Sequence, residues 1–164
     1  MKETHKLLFD RMLGSLCRRM RLLGFDSELN PESEMGRFLI NADRENRLAV
    51  TLASRKTDRP GNPPLILESR DLTGQVVELL DHFTETPRLH PFTRCLDCNR
   101  TLNEISPEEA RGRVPDKITE IFSHFMECPE CGKVFWKGSH YEDMLEEMER
   151  IRTLLKKRGS GDNR

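Results

Sequence analysis

Four of the five cysteines stand in two closely spaced pairs, a pattern suited to metal binding. The first pair lies in CLDC (Cys95 and Cys98) and the second in CPEC (Cys128 and Cys131). Each Cys-x-x-Cys turn can place two thiolates on one ion, and two such turns complete a tetrahedral zinc site. The rival interpretations are a redox dithiol, which needs only one pair, and an iron–sulfur cluster. Because four thiolates leave no open position for a substrate, we predict a structural zinc ion.

Arginines form a second group of chemically suggestive residues, near the start of the chain. Arg11, Arg18, Arg19 and Arg21 lie in or beside a predicted helix, and no acidic residue stands between Arg11 and Gly24. A basic face of this kind can neutralise nucleic-acid phosphates, although a solvated surface has the same composition. The formal net charge of the whole chain is -1, so any nucleic-acid contact must be local.

Alternating strand and helix patterns fill the chain before the cysteine pairs. Short apolar runs predict strands in HKLLFD, DSELN, RLAVTLA and PPLILES. Apolar residues at three- and four-residue spacings predict helices in RMLGSLCRRMRLLGF, PESEMGRFLINADREN and DLTGQVVELLDHF. Met12 falls on the apolar stripe of the first helix, and Asp71 or Thr73 is a candidate N-cap of the third. Such alternation is typical of a parallel sheet in an α/β domain.

The composition changes after this region, and the predicted domains follow the change. We predict an α/β domain over residues 1–86, a zinc ribbon over 92–141, an amphipathic helix over 142–158 and a disordered tail over 159–164. Ser106 and Glu109 have the spacing of a capping box, which predicts a short helix between the cysteine pairs. The last helix carries an apolar stripe that either packs on its own domain or binds a protein partner. That stripe consists of Met144, Met148, Ile151 and Leu155.

The apolar runs of the chain are all short. None approaches the length of a membrane span, and MKETHKLLFD lacks the uninterrupted apolar core of a signal peptide. We therefore expect a cytoplasmic protein with no membrane partner. In that compartment cysteines serve as metal ligands more often than they form disulfides. The fifth cysteine, Cys17, is predicted to be a small, half-buried residue of the first helix.

Several spaced motifs resemble, in order, the C-terminal RNase domain of the Mut-seven exonuclease family. FDRMLGSLCRRMRLLGFD resembles the family's opening strand and Arg-rich helix, and ENRLAVT resembles its third-strand segment. GQVVELLDHF is similar to the helix before the zinc module, and RCLDCNRTL and CPECGKVFWKGSHYEDM are similar to that module. The resemblance implies a PIN-like parallel sheet flanked by helices, followed by a small C-terminal zinc ribbon and a terminal helix.

The resemblance also implies where a nuclease site would lie. PIN-like nucleases hold Mg²⁺ or Mn²⁺ with carboxylates at the carboxyl ends of their strands, and the ions activate water against a phosphodiester. Asp10 matches the first family acid. Gly36 stands near the second, where Glu34 and Glu32 are the nearest substitutes, and Ala53 replaces the third, with Asp58 five residues later. Two of the family's acid positions therefore depart from its pattern.

Two functions follow from this resemblance and its departures. One is a metal-dependent ribonuclease with a degraded acidic site that uses Asp10, Glu34 and Asp58. The other is a catalytically inactive module that binds RNA or ribonucleoprotein and holds a structural zinc ion. In both cases RNA is the expected partner, and basic residues are the candidate phosphate contacts. These residues are Arg11, Arg18, Arg19, Arg21, Arg55 and Lys56.

Overall fold

The computed structural model describes residues 5–53, 61–83 and 87–159. Arg55, Lys56 and Asp58 lie outside the described residues, as does the predicted tail from residue 160 onward. The chain forms two compact units, Met1–Asn99 and Arg100–Arg164. The domain boundaries predicted from composition stay a prediction.

Four parallel strands form the sheet of the first unit, in the order β2-β1-β3-β4. The strands are β1 (Lys6–Phe9), β2 (Asp26–Leu29), β3 (Leu48–Thr51) and β4 (Leu65–Ile66). In the register of the central strand, Leu7 lies opposite Ser27 on one side and Leu48 on the other. Leu7 and Phe9 are completely buried, as expected for a sheet covered on both faces. All four predicted strands, and their parallel arrangement, are confirmed.

Three helices of the first unit also match their predicted segments. They are α1 (Gly14–Leu22), α2 (Met35–Glu45) and α3 (Leu72–Asp81). α2 packs its apolar face, including Phe38 and Ala42, against Leu8 and Ala49 of the sheet. The carboxylate of Asp71 accepts a hydrogen bond from the Gly74 N–H at 2.8 Å, which confirms Asp71 as the N-cap of α3.

The prediction for Met12 is wrong. Its side chain is 75% exposed, although the helical pattern placed it on the buried stripe with Leu16 and Met20. Residues Arg11–Leu13 form a turn of 3-10 helix before α1 begins at Gly14. Because a 3-10 turn advances each residue by a different angle from an α-helix, the stripe cannot be extended backwards through it.

The second unit contains a small antiparallel sheet and three helices. Its strands are β5 (Asn103–Ile105), β6 (Phe125–Glu127) and β7 (Val134–Trp136), and its helices are α4 (Pro107–Ala110), α5 (Asp116–Ile121) and α6 (Ser139–Gly159). A core of Ala110, Val114 and Phe125 is covered in part by Trp136 and other apolar side chains. Ser106 and Glu109 exchange the hydrogen bonds of a capping box, which confirms the predicted short helix.

The apolar stripe of α6 is buried in the structure. Its buried members are Met144, Met148, Ile151 and Leu155. This burial agrees with the interpretation that the stripe packs within the protein, and it removes these four side chains from the surface offered to a partner. No helix in the described part of the chain combines the length and the apolar character needed to cross a membrane.

Candidate metal centre and strand-end site

The four paired cysteines lie close enough together to hold one metal ion. The sulfur atoms of Cys95, Cys98, Cys128 and Cys131 are all within 4.8 Å of one another, and none of these cysteines forms a disulfide. Four thiolates around zinc, with Zn–S bonds of about 2.3 Å, would lie about 3.8 Å apart. The donor set and its spacing therefore fit a zinc ion, which would cross-link the two turns and do no chemistry on a substrate.

Both cysteine turns end in a residue with left-handed backbone geometry. Asn99 follows Cys98 with a φ of 60°, and Gly132 follows Cys131 with a φ of 71°. In the first turn the Asn99 N–H donates to the carbonyl of Cys95 at 3.0 Å, and the Cys98 N–H donates to the sulfur of Cys95 at 3.5 Å. Glycine and asparagine are the residues that best tolerate this conformation, so each turn can curl its two thiolates towards one point.

A second candidate site lies where the parallel strands end. Asp10 directly follows β1, and its Oδ2 accepts a hydrogen bond from the hydroxyl of Thr51, the last residue of β3, at 2.9 Å. Its Oδ1 accepts from the Met12 N–H at 3.3 Å, so the carboxylate also caps the turn that leads into α1. The Thr51 oxygen in turn accepts from the Ala53 N–H at 3.0 Å. Both oxygens of the Asp10 carboxylate therefore accept hydrogen bonds from neighbouring groups.

The neighbouring strand, β2, is followed by a buried amide side chain. Asn30 follows β2 and is only 2% exposed. Its side-chain N–H donates to the carbonyl of Glu32 at 3.1 Å, and its oxygen accepts from the side-chain amide of Asn41 at 3.3 Å. Sequence reasoning missed Asn30, because its partner on α2 is distant along the chain and the residue type alone indicates no particular role.

Glu34, the substitute for the second family acid, lies at the start of α2. Its side chain is 70% exposed and pairs with Arg37 at 3.4 Å. Glu32 contacts the same guanidinium at 3.6 Å, so a positive charge balances these carboxylates. Within the described ranges no three carboxylates are close enough to share a metal ion, and the four-cysteine group is the one found. Asp58 lies outside those ranges.

The predicted phosphate contacts divide between surface and interior. Arg11 and Arg18 are exposed, Arg18 in an ion pair with Asp97, and Arg19 is half-buried. Arg21 is only 7% exposed, and its Nε donates to the carbonyl of Ser27 at 2.8 Å. The guanidinium of Arg21 is therefore engaged within the first unit and is not a surface group. Arg55 and Lys56 lie outside the described residues.

Cys17 is chemically distinct from the paired cysteines. It is buried, and this burial raises the pKa of its thiol to about 11, despite the opposing charge of Arg21. The thiol donates to the carbonyl of Ser27 with a sulfur–oxygen distance of 3.6 Å. A neutral, buried thiol is a poor nucleophile and a poor ligand, which agrees with its predicted role as a small packing residue.

The sequence of this chain matches the model of one known protein family. The model of the Mut7-C RNAse domain matches residues 5–148, a range that contains the strand-end residues and all four paired cysteines. Comparisons with curated proteins and with solved structures gave no match. Since the matched range covers most of the chain, from β1 into α6, this protein belongs to the Mut7-C RNAse domain family.

Proposed function

We propose that this chain binds RNA through its RNase-family domain without cleaving it by metal-dependent hydrolysis. Membership of the Mut7-C RNAse domain family supports RNA as the partner. The observation that carries the proposal is the set of residues at the strand ends. Asp10 follows β1, Asn30 follows β2, and Thr51 is followed by Leu52 and Ala53 beyond β3. Three adjacent strand ends thus supply one carboxylate.

Phosphodiester cleavage of this kind needs several carboxylates in one place. They hold the ions that activate water and stabilise the leaving oxygen. One carboxylate binds Mg²⁺ weakly, because the ion gives up its water molecules reluctantly. At this edge the Asp10 carboxylate already accepts from Thr51 and Met12, and the oxygen of Asn30 already accepts from Asn41. These contacts favour a site that stabilises the fold over one that loads metal.

Arginines in α1 and in the turn before it are the proposed contacts for RNA phosphates. They are Arg11, Arg18 and Arg19, with Arg55 and Lys56 as further proposed contacts. Arginine at a surface position neutralises a phosphate and releases bound counterions, without reading the base sequence. The ion pair of Arg18 with Asp97 would compete with such a contact, so Arg11 is the residue on which we expect binding to depend most. A structural zinc ion and a cytoplasmic location complete the proposal.

An assay of cleavage and binding on the same RNA tests the proposal directly. The zinc-loaded full chain is incubated with labelled single-stranded RNA and either Mg²⁺ or Mn²⁺. We expect intact RNA and a saturable complex that weakens with salt. The alternative is a nuclease that uses Asp10 with Glu34 and Asp58, and it predicts cleavage products that depend on the added ion.

Two variants distinguish true cleavage from a contaminating nuclease. Asp10→Asn keeps an oxygen that can accept from Thr51, so it perturbs the fold less than Asp10→Ala would. Asp58→Asn removes the carboxylate nearest to Ala53 along the chain. Ion-dependent cleavage by the wild type that is lost in either variant would contradict the proposal. Equal traces of cleavage in all three proteins would identify a contaminant and leave the binding measurement to decide.

A further inference from the structure

The first cysteine turn is bonded to the edge of the parallel sheet through one side chain. β2 is the outer strand of that sheet and pairs with β1. The N–H of Ser27 in β2 donates to Oδ1 of Asn99 at 3.0 Å. The side-chain amide of Asn99 thereby accepts a backbone hydrogen bond from this edge strand, as a neighbouring strand would. Asn99 directly follows the metal ligand Cys98 in the chain.

Every polar group of Asn99 has a partner in the first unit. Its side-chain nitrogen donates to the carboxylates of Asp26 at 2.8 Å and Glu28 at 2.9 Å. Its backbone carbonyl accepts from Arg94 at 2.8 Å, in addition to the bond from its N–H to Cys95. Asn99 is only 4% exposed, so these bonds are shielded from competition with water.

Arg21, a residue of α1, also forms hydrogen bonds with the same turn. Leu96 and Asp97 are the two residues between Cys95 and Cys98. The Nη1 of Arg21 donates to the carbonyls of both, at 2.8 Å each. Its Nε donates to the carbonyl of Ser27 at 2.8 Å. One buried guanidinium therefore joins the cysteine turn to the residue that Asn99 also contacts.

The second cysteine turn lacks a side chain at the matching position. Gly132 takes the place of Asn99, with the same left-handed backbone, and its carbonyl accepts from Arg113 at 2.8 Å as that of Asn99 accepts from Arg94. Apart from Gly132 itself and its two chain neighbours, no atom of the described residues lies within 4 Å of the position where a Cβ of Gly132 would stand. The backbone of the two turns is alike, and the difference is the side chain that ties the first turn to a strand.

We propose that Asn99 and Arg21 are positioning residues of the metal centre. They hold the Cys95–Cys98 turn in its ligand-binding conformation before any metal ion binds. The ion then meets two thiolates whose ordering has already been achieved by the fold of the first unit. Residues that orient metal ligands in this way commonly change metal affinity by about 10- to 100-fold when they are replaced.

The test compares two asparagines with the same backbone conformation. Asn99→Gly removes the side-chain bonds and keeps a residue that tolerates positive φ. Asn46→Gly is the matched control, because Asn46 is exposed at the end of α2 with a φ of 51°. Zinc affinity of the full chain is measured by competition with a chromogenic chelator. Amide exchange of Ser27 is measured in the metal-free protein.

We expect replacement of Asn99, but not of Asn46, to reduce both the protection of the Ser27 amide and the affinity for zinc. Metal-free wild type and Asn46→Gly should both protect the Ser27 amide, whereas Asn99→Gly should lose that protection and bind zinc about tenfold or more weakly. Asn99→Asp should weaken binding further, because it sets a third carboxylate against Asp26 and Glu28. Arg21→Met provides an independent variant if Asn99→Asp fails to fold.

Three results would overturn the proposal. The first is unchanged zinc affinity in a folded Asn99→Gly protein. The second is an equal loss in Asn46→Gly, which would point to general destabilisation. The third is an unprotected Ser27 amide in the metal-free wild type, since the turn would then be ordered by the metal itself. Because none of these measurements involves RNA, their outcome is independent of the proposed RNA binding.

Discussion

The cysteine cluster and the strand-end site are two places where this family fold could bind metal, and they differ in completeness. The cluster has four thiolates within 4.8 Å of one another. At the strand ends Asp10 is accompanied by Asn30 and Ala53, where a nuclease needs further acids. Under the proposed function, the fold keeps residues that stabilise it while the residues for chemistry have changed. Asp10 fits this pattern, because its carboxylate also caps the turn before α1.

Loss of one paired cysteine should have the largest effect. We expect Cys128→Ser to reduce bound zinc from about one ion per chain to nearly none, because thiolates supply all the ligands. The fold around β5–β7 should then loosen, since a structural zinc ion contributes about 10–16 kcal/mol in small modules. The matched control is Cys17→Ser, the same chemical change at a buried thiol outside the cluster. Elemental analysis of dialysed protein checks both, and equal zinc in the two variants would contradict a four-cysteine centre.

A change at the strand ends should lower stability without affecting the cluster. Thr51→Val removes the hydroxyl that donates to Asp10 and accepts from Ala53, and Thr51 is completely buried. We expect the free energy of unfolding of the first unit to fall by about 1–3 kcal/mol, the usual cost of leaving a buried polar group unpaired. Urea titration measures it, with exposed Thr101→Val as the control. An unchanged midpoint would mean that the bond between Thr51 and Asp10 does not stabilise the first unit.

The proposed RNA surface should respond to charge in a position-specific way. We expect Arg11→Glu to weaken RNA binding by several-fold and to reduce the slope of log affinity against log salt by about 0.7–1, the value of one phosphate contact. Arg44→Glu, at an exposed position of α2, provides a charge-matched control. Fluorescence anisotropy over a series of salt concentrations distinguishes them. If both variants bind alike, Arg11 belongs only to a solvated surface.

The smallest expected effect is a pKa change that reports on the region between the cysteine pairs. Hydrogen bonds from the backbone and side chain of Ser106 lower the pKa of Glu109 below its ordinary value of 4.5. The ionised form therefore favours the folded capping box, and this contribution is lost as the pH falls through the lowered pKa. If the second unit depends on zinc, a chelator should return the Glu109 pKa to its ordinary value. NMR titration measures the change, and a pKa that stays low without zinc would contradict that dependence.

Local patterns explain how much of the fold could be predicted from the sequence. Strands and helices such as Leu48–Thr51 and Leu72–Asp81 are set by apolar spacing and by caps that lie within a few residues. The cysteine cluster was predictable for the same reason, since each pair of ligands is fixed by its own short turn. The predicted burial of Met12 was wrong because a 3-10 turn interrupts the helical spacing.

The contacts that position the sites could not be predicted in this way. Asn99 bonds to Ser27, and Asn30 bonds to Asn41, so both depend on partners that only the folded chain brings together. One local signal was present for Asn99, because it follows its cysteine pair as Gly132 follows the other. That parallel indicates a left-handed residue, but it does not indicate that the side chain reaches a strand.

The most direct test of the difference between the two sites is a titration of zinc-loaded protein with Mn²⁺, followed by paramagnetic broadening of backbone NMR signals. We predict no saturable broadening at Asp10, Asn30 or Ala53, because one carboxylate at the strand ends cannot compete with the hydration of the ion. Saturable broadening centred on Asp10 and abolished by Asp10→Asn would contradict this prediction, and would show that the strand-end site still binds the metal that a nuclease needs.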